Sequence, residues 1–316
     1  MIPGLLLGNS NLVRGQDLRP IYHFSASQGW LGDPCGFVYY AGEYQLCFQH
    51  TPNSTTANFG SMYWGNAVST DLVHWTNLPD ILSPDASGSC WDGSTVVDWN
   101  NSAGFGNNAL VTIYTAAGNP FVQNLAWSTA PGQTLNKYSG NPVLGSVVSG
   151  NHDPAVRWYA PGNKWVMALY LSNNNYGIFS STNLKNWTQT STFTFPGVVE
   201  VPQLFSLPLD GNTNNVKWIF YAGAGNYYVG QFDGNTFTPQ YGPFSIRGGN
   251  SFAAAPIFND MPAYDGRTIL IANGTQNYPN QPFQEAMDFP VELTLVTSGG
   301  VPTLYVNPVR ELALLR

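Results

Sequence analysis

The chain has 316 residues and a formal net charge of −7, with only 9 % charged residues against 43 % hydrophobic and 14 % aromatic. This acidic balance argues against nucleic acid or an anionic membrane as partner, since both select basic patches. No apolar run approaches the ~20 residues of a membrane span, and with so few charges the surface must draw its polarity from Asn, Ser, Thr and Gln. A neutral, hydroxyl-rich partner fits such a surface.

Residues 1–18 read as an N-terminal extension. The opening MIPGLLLGNS lacks the basic start and the apolar length of a signal peptide. From Arg19 to Arg316, short runs rich in Val, Ile, Tyr, Phe and Thr alternate with Gly, Asn, Asp and Pro clusters, the pattern of an all-β domain. Five comparable hairpins follow in order, over Asp33 to His50, Asp92 to Ala116, Asp153 to Leu171, Glu200 to Gly223 and Ser251 to Asn273. Two connecting segments are related: Ser69-Thr70-Asp71-Leu72-Val73-His74-Trp75 echoes Ser181-Thr182-Asn183-Leu184-Lys185-Asn186-Trp187, each closing on a Trp. Units of about 45 to 60 residues predict a five-bladed β-propeller, in preference to a β-sandwich with chance similarity between hairpins.

Three carboxylates share one local setting, an acid one or two residues before a proline at the entry to a hairpin. They are Asp33 in WLGDPCGFVYY, Asp153 in NHDPAVRWY and Glu200 in VEVPQLFSLP. A single Asp-Pro pair would be read as a turn starter. Three in register, each before an inner strand, predict acids converging at one mouth of a propeller channel. Carboxylates sharing a pocket suit glycoside cleavage, with one acting as nucleophile and another as proton donor.

The remaining reactive residues offer less. Cys35, Cys47 and Cys90 are too few and too scattered for a disulfide framework or a zinc site. His23, His50, His74 and His152 show no metal-ligand spacing, and only His152 adjoins a candidate acid. No metal or cofactor is expected. Sequons at Asn53, Asn100, Asn186 and Asn273 lean towards secretion, in a chain rich enough in Asn, Ser and Thr to hold some by chance.

Nine segments in series resemble glycoside hydrolase family 32, which includes invertases, inulinases, levanases and related fructosyltransferases. Tyr22-His23-Phe24 followed by WLGDPCG resembles Y-H-F…W-M-N-D-P-N-G. CFQHTPN resembles F-Y-Q-Y-N-P, and YWGNAVSTDLVHW resembles C-W-G-H-A-V-S-x-D-L-V-H-W. CWDGSTVVD resembles F-S-G-S-A-V-V-D, HDP resembles R-D-P, and VEVPQLFSLP resembles W-E-C-P-D-L-F. VGQFDGNTF, MDFPVELTL and NPVRELALLR complete the series. The resemblance implies Asp33 as nucleophile, Glu200 as general acid/base and Asp153 as transition-state stabiliser. It also implies Gln49, Phe59, Trp91 and Asp92 around the first sugar, although Trp91 could equally be a core aromatic. In a retaining mechanism the two acting carboxyls stand only ~5–5.5 Å apart. At that spacing ionised Asp33 is expected to raise the pKa of Glu200.

Several positions depart from the family pattern. Gly32 and Cys35 replace Asn residues, Phe59 a Trp, Asp92 a Ser, Asn66 a His, Val201 a Cys and His152 the Arg of R-D-P. In the fifth hairpin SFAAAPIF replaces D-F-Y-A-A-Q-T-F, and Asn273 falls near a family Trp. With all three acids kept, these changes point to altered specificity rather than lost turnover. The expectation is a secreted retaining glycosidase acting on β-fructofuranosides of the sucrose, inulin or levan type. Alternatives are a fructosyltransferase, a propeller acting on another furanoside or a pentose polymer, and a sugar-binding propeller without turnover. The family's usual C-terminal β-sandwich is not expected within this chain, which could leave apolar surface exposed and favour self-association.

Overall fold

The computed structural model describes residues 17–130, 132–223, 225–246, 256–262 and 264–316. Most of the 1–18 extension, and positions 251–255 of the predicted fifth hairpin, lie outside these residues.

The first four predicted hairpins form the inner strand pairs of four antiparallel sheets. Strands β1 (Gly29–Tyr40), β2 (Glu43–Thr51), β3 (Tyr63–Ser69) and β4 (Thr76–Leu82) make the first sheet. The second is β5 (Ser89–Asp98), β6 (Ala109–Ala117), β7 (Phe121–Ser128) and β8 (Asn136–Lys137), and the third is β9 (His152–Tyr159), β10 (Lys164–Ser172), β11 (Asn175–Ser181) and β12 (Thr188–Thr194). The fourth comprises β13 (Gln203–Leu209), β14 (Asn212–Ala222), β15 (Asn226–Phe232) and β16 (Phe237–Ser245). Four short strands follow: β17 (Thr268–Leu270), β18 (Asn273–Gly274), β19 (Phe283–Gln284) and β20 (Ala286–Met287). The long hairpin of β21 (Val291–Ser298) and β22 (Val301–Pro308) closes the series, with β17 paired to β21.

Apolar side chains fill the spaces between successive sheets, as a propeller requires. Trp64 and Ile81 of the first sheet meet Cys90 and Tyr114 of the second, and Val96 and Ile113 of the second meet Met167 and Phe179 of the third. Tyr176 and Ile178 pack on Phe220 and Phe237, and Phe205 and Tyr227 pack on Leu270 and Leu293. The last interface returns to the start, where Phe258, Ile269 and Met287 pack against Phe37 and Phe48. Each interface removes large apolar side chains from water, at about 1.5–3 kcal/mol apiece. All three cysteines are buried and unpaired within this packing.

The echoed segments form one turn used twice. Asp71 Oδ1 accepts from the backbone N–H groups of Val73 and His74, as Asn183 Oδ1 does from those of Lys185 and Asn186. Trp75 Nε1 donates to Leu72 O and Trp187 Nε1 to Leu184 O, and both leucines adopt positive φ. In each turn a short polar side chain satisfies the backbone donors that the bend leaves free.

Inner strands are also joined by polar contacts. Ser94 Oγ donates to Pro154 O and accepts from Val156 N, linking β5 to β9. Asn259 reaches three blades: its Nδ2 donates to Thr95 O and Val156 O, and its backbone pairs with Phe37 and Tyr39. Asn259→Ala would strand two buried carbonyls, and should cost about 2–4 kcal/mol in a urea-unfolding measurement.

Candidate active site

Asp33 lies within β1, inside the first of two departures from regular pairing with β2, the one between Leu31 and Pro34. Irregular register of this kind re-aims a side chain that a flat strand would turn elsewhere. Gly32 beside it lies under the ring of Trp30, where a Cβ would fall 2.0 Å from a ring carbon. Any side chain at this position would require the Trp30 ring to shift.

Asp153 is the second residue of β9 and Glu200 lies just before β13. Both hold positive φ, 61° and 64°, as does Val201 at 46°. For Glu, and more so for β-branched Val, this is strained backbone that surrounding bonds must hold in place. Val201 N donates to Asp153 Oδ2 at 3.0 Å, tying the two acid-bearing loops together. Asp153 N in turn donates to Thr115 Oγ1, and Gly223 N to Glu200 O.

His152 stands between the two acids, with Nε2 3.4 Å from Glu200 Oε1 and 3.7 Å from Asp153 Oδ2. Its Nδ1 faces Gly150 O at 2.5 Å. Burial works against its charge, but Asp153 and Glu200 outweigh that cost and push its pKa up to about 9. Trp91, Phe121 and Tyr170 surround the ring, at centroid distances of 5.6, 6.4 and 4.9 Å. Aromatic faces suit a cation. A raised imidazole pKa stabilises the fold fully below its unfolded value, and that contribution is lost as pH rises through about 9. Ring-proton NMR should show His152 titrating near pH 9, and in Glu200→Gln the midpoint should fall. An ordinary midpoint in the wild type would mean that the two acids do not share this cation.

The acids influence one another, though not in the expected sense. Burial, with Asp153 as the largest charge, raises the Asp33 carboxyl to about 7; Asn273 opposes the rise, and Glu200 and Glu285 add to it. The His152 contact holds Glu200 below its ordinary value instead, against partial burial. The expectation that Asp33 would raise Glu200 is therefore corrected: Glu200 is lowered. Glu200 is about half exposed and has a cation at hand, whereas Asp33 faces other carboxyls with little water.

The predicted sugar contacts gather around these groups. Asp92 is buried and accepts from Gln49 Nε2 at 2.5 Å. Burial first, then Asp33 and Asp153, hold its carboxyl well above the ordinary range. A carboxyl kept neutral in this way can donate a hydrogen bond. Trp91 is only half-buried, and its Nε1 donates to Phe59 O, so it lies at the rim rather than in the core. Phe59 is 56 % exposed, with its ring edge-on to Trp30 and Trp91.

Sequence reasoning missed Glu285, Trp30, Phe121 and Tyr170, and singled out Asn273 only as a sequon and as a departure near a family Trp. Glu285 accepts from Trp30 Nε1 at 2.9 Å and from Asn273 Nδ2 at 3.0 Å. Only the ring closure reveals this group, because β19 pairs in parallel with β1 and brings positions 283–285 alongside Trp30. Asn273 is 2 % exposed, which removes it as a glycosylation site, while Asn53, Asn100 and Asn186 are exposed. Outside the cluster, His23 contacts Met287 O, His50 contacts Asp80 and Gln28 O, and His74 contacts Asp71.

A family model described as "Glycosyl hydrolases family 32 N-terminal domain" matches residues 23–308. The chain belongs to that family. It is 38 % identical over 329 residues to a levanase of Bacillus subtilis (strain 168), covering 95 % of this chain and 48 % of that protein. It is 33 % identical over 353 residues to an extracellular exo-inulinase of Aspergillus awamori, covering 93 % of this chain and 65 % of the relative. The crystal structure of the A. awamori exo-inulinase superposes with a TM-score of 0.85 at 30 % identity, over 93 % of this chain and 68 % of that one. A β-fructofuranosidase of Schwanniomyces occidentalis complexed with fructosyl-erythritol gives 0.84 at 31 % identity, over 92 % and 63 % of the two chains. The chain thus spans about half to two thirds of these relatives' length. Within the family frame, His152 in place of the Arg of R-D-P still supplies a cation beside Glu200. Its charge depends on those neighbours, whereas an Arg carries it unconditionally.

Proposed function

We propose that this chain hydrolyses β-fructofuranosides with retention, through a covalent fructosyl–Asp33 intermediate. The observation that carries the reading is the meeting of Asp33 of β1, Asp153 of β9 and Glu200 of the loop before β13 in one electrostatically coupled cluster. With Asp33 raised and Glu200 lowered, the shifts run against these roles, so the roles require the proton to pass from Asp33 to Glu200 when substrate binds. In the first step an Asp33 oxygen attacks the anomeric carbon, that carbon's bond to the leaving oxygen breaks, and Glu200 protonates the leaving group. In the second step Glu200 takes a proton from water, the new hydroxyl attacks the same carbon, and Asp33 departs as carboxylate. Asp153 holds sugar hydroxyls through bonds that strengthen as positive charge develops. Substrate entry also moves the proton to where it is needed. Sugar rings displace water from half-exposed Glu200 and raise its pKa, while hydroxyls donating to Asp33 favour its ionised form.

Gln49, Asp92 and His152 then bind the first sugar, with Phe59 and Trp91 beside it. Secretion fits the exposed sequons and the extracellular setting named for an Aspergillus relative. Incubation with sucrose, inulin and levan separately, followed by chromatography over time, tests the reading. Free fructose supports hydrolysis, and longer oligosaccharides from sucrose would shift the reading to transfer. Release of arabinose or xylose without fructose would replace it.

A further inference from the structure

A cavity of about 550 Å³ is lined by the end of β9 away from Asp153. Arg157, Trp158, Tyr159, Trp218, Asn259 and Asp260 form its working surface. Asp153 and Arg157 are four residues apart on β9, so the two sites lie roughly 13 Å apart along the strand. Between them Asn259 crosses the channel through its bonds to Thr95 O and Val156 O.

Arg157 is the unusual member. Among the described residues its guanidinium donates no hydrogen bond, although Asp260 lies near enough to influence its charge. The Asp260 oxygens are already engaged, Oδ2 by Val97 N at 2.7 Å and Oδ1 by Trp99 Nε1 at 3.0 Å. A planar fork of five donors on the cavity wall, engaged by no hydrogen bond among the described residues, is free to take oxygen atoms from a ligand. The walls narrow the chemistry. Trp218 packs at 5.7 Å from Tyr159, and Trp158 at 5.0 Å edge-on to Trp165, leaving partly exposed aromatic surface on two sides. One cation and one anion leave the cavity close to neutral, within a chain of net charge −7. That combination disfavours a free anion and suits a neutral ring with apolar C–H faces and paired hydroxyls. The volume falls in the 300–1,000 Å³ range of small-molecule sites.

We propose that this cavity is a second carbohydrate-binding site, taking a short stretch of a neutral fructan on Arg157 between the Tyr159–Trp218 and Trp158 walls. The choice of fructan rests on the function proposed above. A polymer chain held there would keep its enzyme attached between cleavage events, raising effective concentration at the catalytic mouth.

The test uses Asp33→Asn, which halts turnover while keeping the catalytic pocket's shape, titrated calorimetrically with a fructo-oligosaccharide. Two sites are expected, and adding Arg157→Gln should weaken one by about tenfold, as expected for losing a charged donor. A single site that Arg157→Gln leaves unchanged overturns the inference. Should Arg157→Gln fail to fold, hydrogen exchange on Asp33→Asn alone decides. Fructan protection of residues 157–161 and 216–218, in addition to the catalytic mouth, supports the second site; protection confined to that mouth refutes it. The two readings fail separately. Normal wild-type turnover of fructans with one binding site sinks only the second site, whereas two fructan sites with no wild-type turnover sink only the catalytic assignment.

Discussion

Asp33→Asn should lower kcat on sucrose or fructan by on the order of 10⁵-fold or more, because no carboxylate remains to form the proposed covalent intermediate. The same variant should be more stable than the wild type at neutral pH. Asp33 titrates at about 7 in the folded chain, well above its unfolded value of 3.8. Between those two values the native state holds a proton that the unfolded state has released, so wild-type stability falls as pH rises from about 4 through 7. An amide has no such proton to lose. Thermal or urea unfolding at pH 8 should therefore favour Asp33→Asn by up to a few kcal/mol. Near pH 4 the two proteins should converge. Lost activity with equal stability at both pH values would place Asp33 in ordinary solvent and remove the electrostatic basis of the site.

That pairing of lost activity with gained stability distinguishes a working acid from a structural one. A carboxylate that merely capped a turn would leave stability lower when replaced, as Asp71 should. Asp71 receives backbone donors and a His74 contact, which hold it down at about 2. Its contribution is present above the unfolded value and is lost as pH falls through about 2, the opposite sign to that of Asp33.

Much of this organisation is legible in the chain. The hairpins announce themselves through period-two apolar runs and Gly turns, and the Ser-Thr-Asp/Asn-Leu turns through their Trp residues. Both signals are local, so a linear reading finds them. Asp33, Asp153 and Glu200 are picked out for the same reason, because each stands one or two residues before a Pro in or beside an inner strand. Other features depend on closure of the ring. Glu285 and Asn273 reach Trp30 and Asp33 only because the end of the chain returns beside β1. Phe121 and Tyr170 join the His152 cage from neighbouring strands, yet in sequence they look like ordinary strand aromatics. The protonation pattern was the least legible feature of all. Reading Asp33 and Glu200 as an isolated pair assigns the raised pKa to Glu200. His152, 48 positions away from Glu200 in sequence, reverses that order by reaching Glu200 through space.

Glu200→Gln should lower kcat/KM on sucrose by about 10²–10⁴-fold, the range usual for loss of a general acid. A fructoside with a good leaving group needs no proton, so its glycosylation step should be far less impaired. The pH dependence gives the sharper result. In the wild type the productive form has Asp33 ionised and Glu200 protonated. With Asp33 raised to about 7 and Glu200 lowered, that form is a minor microstate, and its population is bell-shaped between the two apparent values of the pair. Removing Glu200 leaves a single requirement, that Asp33 be ionised. The profile on the activated substrate should then become a simple rise with pH to a plateau. Its midpoint should lie below about 7, because the Glu200 charge that helps to raise Asp33 has gone. Azide, which attacks without general-base help, should restore the second step and yield a fructosyl azide. A bell that persists in Glu200→Gln would assign the proton donor to another of the coupled acids, with Asp92, held neutral and buried beside Gln49, the next to replace.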